Sequence, residues 1–250
     1  MLSAKPWNLD RVVLALAGIL FCACILFLAG AGVLHFVSHG KPDKNSLLYL
    51  MVVTMAIHGS ILVGTGLVLW WYHVGWGESF GFSMRNWKSA ILVGLLAAIA
   101  FLPVGLSLQF VSAQIMTRLQ LETHEQPAVE TLENAESWES RVYLIVFTIL
   151  VAPVAEEILF RGVLYPAIKQ GGYPRTAMWA TALVWAAIHM TAAIVLPLFV
   201  LGLALAYLYE KTNNLLAPIT AHAVFNAINV AFLYFGDDVS QTIGRWLHHS

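Results

Sequence analysis

The sequence predicts an all-α, polytopic membrane protein, a helix bundle of about seven to eight transmembrane helices. The first observation is composition: 59% of the residues are hydrophobic and 11% are charged, whereas a soluble domain carries about 25% charged residues. The second is the placement of charge. Five runs lack Asp, Glu, Lys and Arg, and each exceeds the roughly 18 apolar residues of a spanning helix. These runs are 12–34, 45–77, 89–117, 176–209 and 212–236.

The runs predict helices near 11–36, 46–73, 89–112, 140–156, 176–190, 193–210 and 215–236. The run 176–209 must be divided, because one helix of that length would extend about 51 Å and the hydrocarbon core is about 30 Å thick. We expect a break around 190–193, with Pro197 early in the second helix. Residues 158–171 predict a partly buried helical turn that ends at Gly171.

No internal repeat and no separate soluble domain are visible. We expect N-terminal transmembrane helices in residues 1–80 and a core in residues 81–250, within a single membrane domain. The segment 119–139 carries six glutamates and predicts an amphipathic or partly disordered loop. Gln126-Pro127 breaks any long helix there. The net charge of −1 and the lack of a basic cluster argue against a nucleic-acid partner.

The Lys and Arg residues of the loops favour a cytoplasmic N-terminus. With this orientation the inner segments hold Lys5, Arg11, Arg85, Lys88, Arg161, Lys169, Arg175 and Lys211. The outer segments hold Lys41, Lys44, Arg118, Arg141 and Arg245. The first apolar run is too long for a cleavable signal, so we expect a retained helix. Composition and size indicate a prokaryotic inner membrane protein.

Two adjacent carboxylates, Glu156 and Glu157, end an apolar run. An ionised side chain at membrane depth costs about 2.5 kcal/mol or more, so each needs a partner or a function. Glu157 and Arg161 are four residues apart on one helical face and predict a structural clamp. Glu156 points about 100° away and is available as a general base toward water.

Three further polar residues lie in apolar C-terminal helices. His189 follows Trp185 by one turn, and His222 and Asn226 share a helical face. An imidazole orients water or binds metal, and an amide donates to an oxyanion. Glu156 together with His189, His222 and Asn226 supplies the groups that amide hydrolysis needs.

The three motifs resemble those of the CPBP intramembrane proteases, which include the type II CAAX prenyl endopeptidases and the bacteriocin-processing or self-immunity (Abi) proteins. They are Glu-Glu-x-x-x-Arg at 156–161, aromatic-x-x-x-His at 185–189 and His-x-x-x-Asn at 222–226. The resemblance covers roughly residues 80–235 and implies that Glu156 activates water with His189. It also implies that His222 and Asn226 stabilise the oxyanion. Trp185 departs from the usual Phe, and we expect an effect on packing or pocket size rather than on the reaction.

Metal dependence stays open at this stage. Members of the family are described both as metalloproteases and as metal-independent glutamate proteases. Glu156, His189 and His222 are a set that could ligate zinc, since three N/O ligands and a water form a common catalytic site. The His-Glu-x-x-His signature is absent, and we favour glutamate-activated water with no required cofactor.

The conjunction of the three polar clusters favours an endopeptidase that acts on a membrane-associated or lipidated protein or peptide, in contact with membrane lipid. A non-catalytic immunity or scaffold protein is the alternative, and a transporter would favour symmetric broken helices. His58 and His73 lack acidic partners at helical spacing, which predicts structural or interfacial roles for them.

Overall fold

The regular structure of the chain is entirely helical over the residues that the computed structural model describes, which are 2–82, 86–121 and 126–248 with side chains to 235. Arg85 lies outside these residues, as does the side chain of Arg245. In this part of the chain we number nine helices. They are α1 Leu9–Val37, α2 Leu47–Trp71, α3 Trp76–Phe80, α4 Trp87–Arg118, α5 Pro127–Glu133, α6 Trp138–Gln170, α7 Pro174–Ala187, α8 Ala192–Thr212 and α9 Leu216–His248.

Six of the described helices are long and apolar enough to cross a membrane: α1, α2, α4, α6, α8 and α9. Helix α7, at 14 residues, is shorter than the roughly 20 residues that span a bilayer. Large apolar side chains such as Leu20, Phe21 and Leu28 on α1 are exposed, as expected for a surface that faces lipid. These features confirm a polytopic membrane helix bundle.

The predicted break in the run 176–209 is present. Helix α7 ends at Ala187 and α8 begins at Ala192, and Met190 between them has a positive φ of 56°. Pro197 lies in the second turn of α8 and cannot donate to the Ala193 carbonyl, which accepts from Ser112 Oγ at 2.6 Å instead. The long apolar run therefore forms two helices that pack against each other.

The prediction of a separate turn at 158–171 is wrong, because α6 continues through Gln170. Two π-helical turns, Phe147–Val151 and Ile158–Leu164, interrupt its regular hydrogen bonding. Pro153 and Pro166 are each the second residue of the regular segment after such a turn. The missing proline N–H falls where the α-helical pattern is already broken, so the helix continues.

The acidic segment 119–139 is partly helical in its described residues, and 122–125 lie outside them. Helix α5 begins at Pro127, with Gln126 extended before it. Proline is favoured at the first helical position. The predicted break at Gln126-Pro127 is thus confirmed as a helix start.

The N-terminal residues are bound to the C-terminal ends of α6 and α8. The Leu2 backbone N–H donates to Glu210, and the Lys5 N–H donates to Gln170. The Gln170 side chain in turn donates to the carbonyl of Trp7, whose indole is buried. These contacts join the N-terminal part of the chain to α6 and α8.

Close packing of α4 against α9 depends on Gly94. A Cβ at this position would lie 2.5 Å from the Ala217 carbonyl oxygen and 2.8 Å from Thr220 Cβ. Gly94→Ala should therefore lower the free energy of unfolding by about 1–3 kcal/mol through overpacking. Unfolding of detergent-solubilised protein by SDS measures this loss.

Gly32→Ala is the matched control, because nothing lies within 4 Å of the added Cβ. It should leave stability unchanged or slightly raised. Equal destabilisation by the two substitutions would contradict the proposed helix contact.

Candidate active site

Glu156 and Glu157 lie in the short α-helical segment Ala152–Glu157 of α6, between the two π-helical turns. Turns of this type occur frequently at functional sites, because the extra residue changes where the neighbouring side chains point. The Glu157 side chain is completely buried, whereas that of Glu156 keeps 15% exposure. The two adjacent carboxylates therefore have different surroundings.

Glu157 forms the predicted ion pair with Arg161. The Nη1 group donates to Glu157 Oε1 over 2.7 Å, and both side chains are 0% exposed. Nη2 donates to the carbonyl of Gly202 on α8 at 3.1 Å. The guanidinium also lies 4.6 Å from the centre of the Trp185 ring, within cation–π range. The pair thus connects α6 to α7 and α8.

His222 of α9 lies between the two carboxylates. Its Nδ1 is 3.0 Å from Glu157 Oε1, and because a carboxylate accepts, the ring N–H donates. Nε2 is left facing Glu156 Oε2 at 4.0 Å. The ring is buried, and the indole of Trp185 meets it edge-on at 5.2 Å between centres. His222 is therefore fixed through Glu157 and presents one nitrogen to Glu156.

Trp185 contacts Glu156 directly. Its indole Nε1 donates to Glu156 Oε2 over 2.7 Å, and the side chain is fully buried. We expected this departure from Phe to alter packing or pocket size, and the structure adds a hydrogen bond to the Glu156 carboxylate. The side of α7 that packs against α6 presents the N–H of the indole to the carboxylate, a donor that Phe lacks.

His189 is held by its own helix end. Its Nδ1 lies 2.8 Å from the carbonyl oxygen of Trp185, and because a carbonyl accepts, Nδ1 carries the proton. This leaves Nε2 as an acceptor. The imidazole is partly buried and meets the Trp185 ring edge-on, with 5.0 Å between centres. Its free nitrogen is suited to accept a hydrogen bond from water.

Asn226 points to another turn of α6. Its amide nitrogen donates to the carbonyl of Thr148 over 2.9 Å, about two turns before Glu156. Thr148 belongs to a π-helical turn, which has carbonyls outside the regular α-helical pattern. Asn226 shares the face of His222 as predicted, but one of its amide protons is engaged with the backbone.

His58 is the residue that sequence reasoning missed. Its Nε2 lies 3.5 Å from Glu156 Oε1, although the two residues are far apart in sequence and on different helices. Spacing within one helix contains no sign of this contact. The one available signal was a histidine within an otherwise uncharged apolar run. His73, the other histidine of that run, is exposed just after α2.

The donor set for the alternative zinc site was Glu156, His189 and His222. Among the described residues, no three His, Cys, Asp or Glu side chains converge as metal ligands do. The Nδ1 atoms of both histidines are engaged with protein oxygens, which leaves each Nε2 free, as is usual for metal-binding histidines. The residue types and ring orientations therefore suit zinc, whereas the positions of the three side chains do not bring them together as a ligand set.

The fold and the cluster together define a class: a polytopic membrane protein in which a carboxylate and imidazoles from separate spanning helices meet inside the bundle. Residues 138–228 match the family model described as type II CAAX prenyl endopeptidase Rce1-like. The match confirms the resemblance over this part of the chain. The matched range contains Glu156, Glu157, Arg161, His189, His222 and Asn226.

Two bacterial proteins are similar to the chain. The uncharacterized protein YpbD of Bacillus subtilis is 36% identical over 88 residues, which cover 34% of this chain and 42% of that protein. The UPF0177 protein YaiF of Lactococcus lactis is 24% identical over 207 residues, 82% of this chain and 87% of its own. The chain thus matches less than half the length of the first relative. No solved structure matches it.

The buried ion pair generates a prediction about stability. Arg161→Leu should lower the free energy of unfolding by about 3–5 kcal/mol, because it leaves the Glu157 carboxylate buried without a cation. Thermal unfolding in detergent measures the loss.

The double variant Glu157→Gln with Arg161→Leu is the control. It removes the uncompensated charge and should recover part of the stability. If the loss of stability in the double variant equals the sum of the losses in the two single variants, a direct interaction is contradicted.

Proposed function

We propose that the protein is an intramembrane endopeptidase in which Glu156 activates a water molecule to hydrolyse a peptide bond. The observation that carries this proposal is the surroundings of Glu156. Its carboxylate accepts from Trp185 and faces His58 and His222 within 4.0 Å, inside a helix long and apolar enough to span a membrane. A buried carboxylate without a cationic partner of its own is costly, and such residues are usually functional.

The residues divide the reaction among themselves. Glu156 takes a proton as the water oxygen bonds to the carbonyl carbon, and His189 Nε2 accepts a hydrogen bond from the same water. The carbonyl oxygen then carries negative charge, to which His222 and Asn226 donate hydrogen bonds. When the C–N bond breaks, the proton passes from Glu156 to the leaving nitrogen. The products are a carboxylic acid and an amine.

Asn226 needs a second N–H group to stabilise the oxyanion, because one already donates to the Thr148 carbonyl. An amide carries two N–H groups, so the second remains for the oxyanion. His222 donates from Nε2 while its Nδ1 donates to Glu157, so in this step the ring is an imidazolium, in which both nitrogens carry protons. Both residues lie on α9, and the oxyanion would therefore bind between α9 and α6.

The substrate in this proposal is a membrane-anchored or lipidated polypeptide that approaches from the cytoplasmic leaflet or laterally from lipid. The partial exposure of Glu156 supports access for a substrate segment. The two bacterial relatives support a bacterial cell membrane as the location. The family description names a prenyl endopeptidase, and a prenylated C-terminus is one candidate form of the substrate.

The test replaces Glu156 by Gln, which keeps the side-chain shape and can still accept from Trp185. Membrane proteomes of a deletion strain that carries the wild type or Glu156→Gln are compared. We expect one precursor to accumulate in the variant, and purified variant in proteoliposomes should cleave it about 10²- to 10⁴-fold more slowly than wild type.

Glu139→Gln is the matched control, since Glu139 is an exposed carboxylate at the start of α6. It should process the precursor at the wild-type rate. If Glu156→Gln shows no accumulation and retains the biological effect, the endopeptidase proposal is refuted in favour of a non-catalytic immunity or scaffold role.

The indole hydrogen bond gives a second prediction. Trp185→Phe keeps an aromatic ring but removes the donor to Glu156, and a hydrogen bond to a charged group contributes about 1.5–3 kcal/mol. Turnover of the same precursor should fall about tenfold or more. Trp179→Phe, at an exposed position of α7, should leave turnover unchanged, and an equal effect of the two would contradict the role of Trp185.

A further inference from the structure

The π-helical turn of α2 places a histidine against the catalytic segment of α6. This turn, Met55–Gly59, packs against Ala152–Glu157 and carries His58. The turn Met55–Gly59, and His58 with it, lies outside the matched range of 138–228. In the described part of the chain, every π-helical segment either contains His58 or borders the turn that carries Glu156. The irregular turns of two separate helices therefore meet at one carboxylate.

The two oxygens of Glu156 have different neighbours. Oε2 accepts from Trp185 Nε1 at 2.7 Å and faces His222 at 4.0 Å. Oε1 faces His58 Nε2 at 3.5 Å. This distance is long for an N–H···O hydrogen bond, but such bonds in catalytic sites often shorten when substrate binds. His58 is thus the neighbour that orients the second oxygen.

Packing alone does not account for an imidazole at this position. The ring of His58 meets Phe147 edge-on, with 4.9 Å between centres, a contact that a phenyl ring would make equally well. Its Nδ1 is buried without a hydrogen-bond partner among the described residues. An unpaired buried nitrogen is unfavourable, so a residue kept for packing would be better as Phe.

We propose that His58 is a positioning residue, which holds Glu156 Oε1 in the orientation needed to take a proton from water. This inference rests on the proposed endopeptidase function. It makes α2 a part of the active site, so the catalytic apparatus extends beyond the family domain. Loss of the Nε2 donor leaves Glu156 held at Oε2 alone and free to rotate.

The expected effect falls on turnover rather than on substrate binding. A displacement of about 1 Å in a reacting group costs about 100-fold in rate. His58→Phe, which keeps the edge contact with Phe147 but has no donor, should lower kcat by about 100-fold. KM should stay within about twofold, because the lost interaction contributes to the transition state.

The experiment measures kcat and KM for the precursor that accumulates in Glu156→Gln membranes, with purified proteins in proteoliposomes. His58→Gln keeps an N–H donor near the position of Nε2 but loses the ring, and it should retain most of the activity. His73→Phe, at an exposed position just after α2, is the control and should match wild type. Thermal unfolding of each variant in detergent accompanies the kinetics.

The outcomes separate the two proposals. Full activity of His58→Phe while Glu156→Gln is inactive overturns the role of His58 and leaves the proposed function standing. Greater loss of activity and stability in His58→Gln than in His58→Phe shows a packing role and also overturns it. If His58→Phe does not fold, loss of turnover in folded His58→Gln overturns the role and retained turnover supports it. If the wild type and Glu156→Gln process all membrane proteins alike, both proposals are overturned.

Discussion

The architecture of the site depends on the burial of one ion pair inside an apolar bundle. Glu157 and Arg161 are both fully buried, and a buried pair of this kind depends on close partners for its charges. Arg161 Nε and Glu157 Oε2 lack a partner among the described residues, and Arg161 finds its further partners in the Gly202 carbonyl and the Trp185 ring. These contacts fix α7 and α8 against α6.

The approach of α8 depends on the absence of a side chain at Gly202. A Cβ there would lie 3.0 Å from Ala182 Cβ and 3.3 Å from Arg161 Nη2. These contacts are closer than ordinary packing, so a side chain at this position would require its neighbours on α7 and the guanidinium to shift. The ion pair and the close helix packing therefore stabilise one another, and together they place Trp185 beside Glu156.

Adjacent glutamates acquire opposite roles through the kinds of partner they meet. Glu157 is paired with a permanent cation and is a structural acceptor for Arg161 and His222. Glu156 meets an indole and imidazoles, whose N–H groups orient a carboxylate without a fixed opposite charge. A carboxylate held in this way remains able to take a proton.

Charge depletion and helical spacing in the sequence by themselves determined the membrane bundle, the break before α8, the Glu157–Arg161 pair and the candidate residues of the three motifs. These features are local, since they depend on runs of one helix or on residues one turn apart. The tertiary structure alone decided that α6 is continuous, that the Trp185 indole donates to Glu156, and that His58 joins the site. Such contacts arise from which faces of separate helices meet, and periodicity along a single helix carries no information about its neighbour.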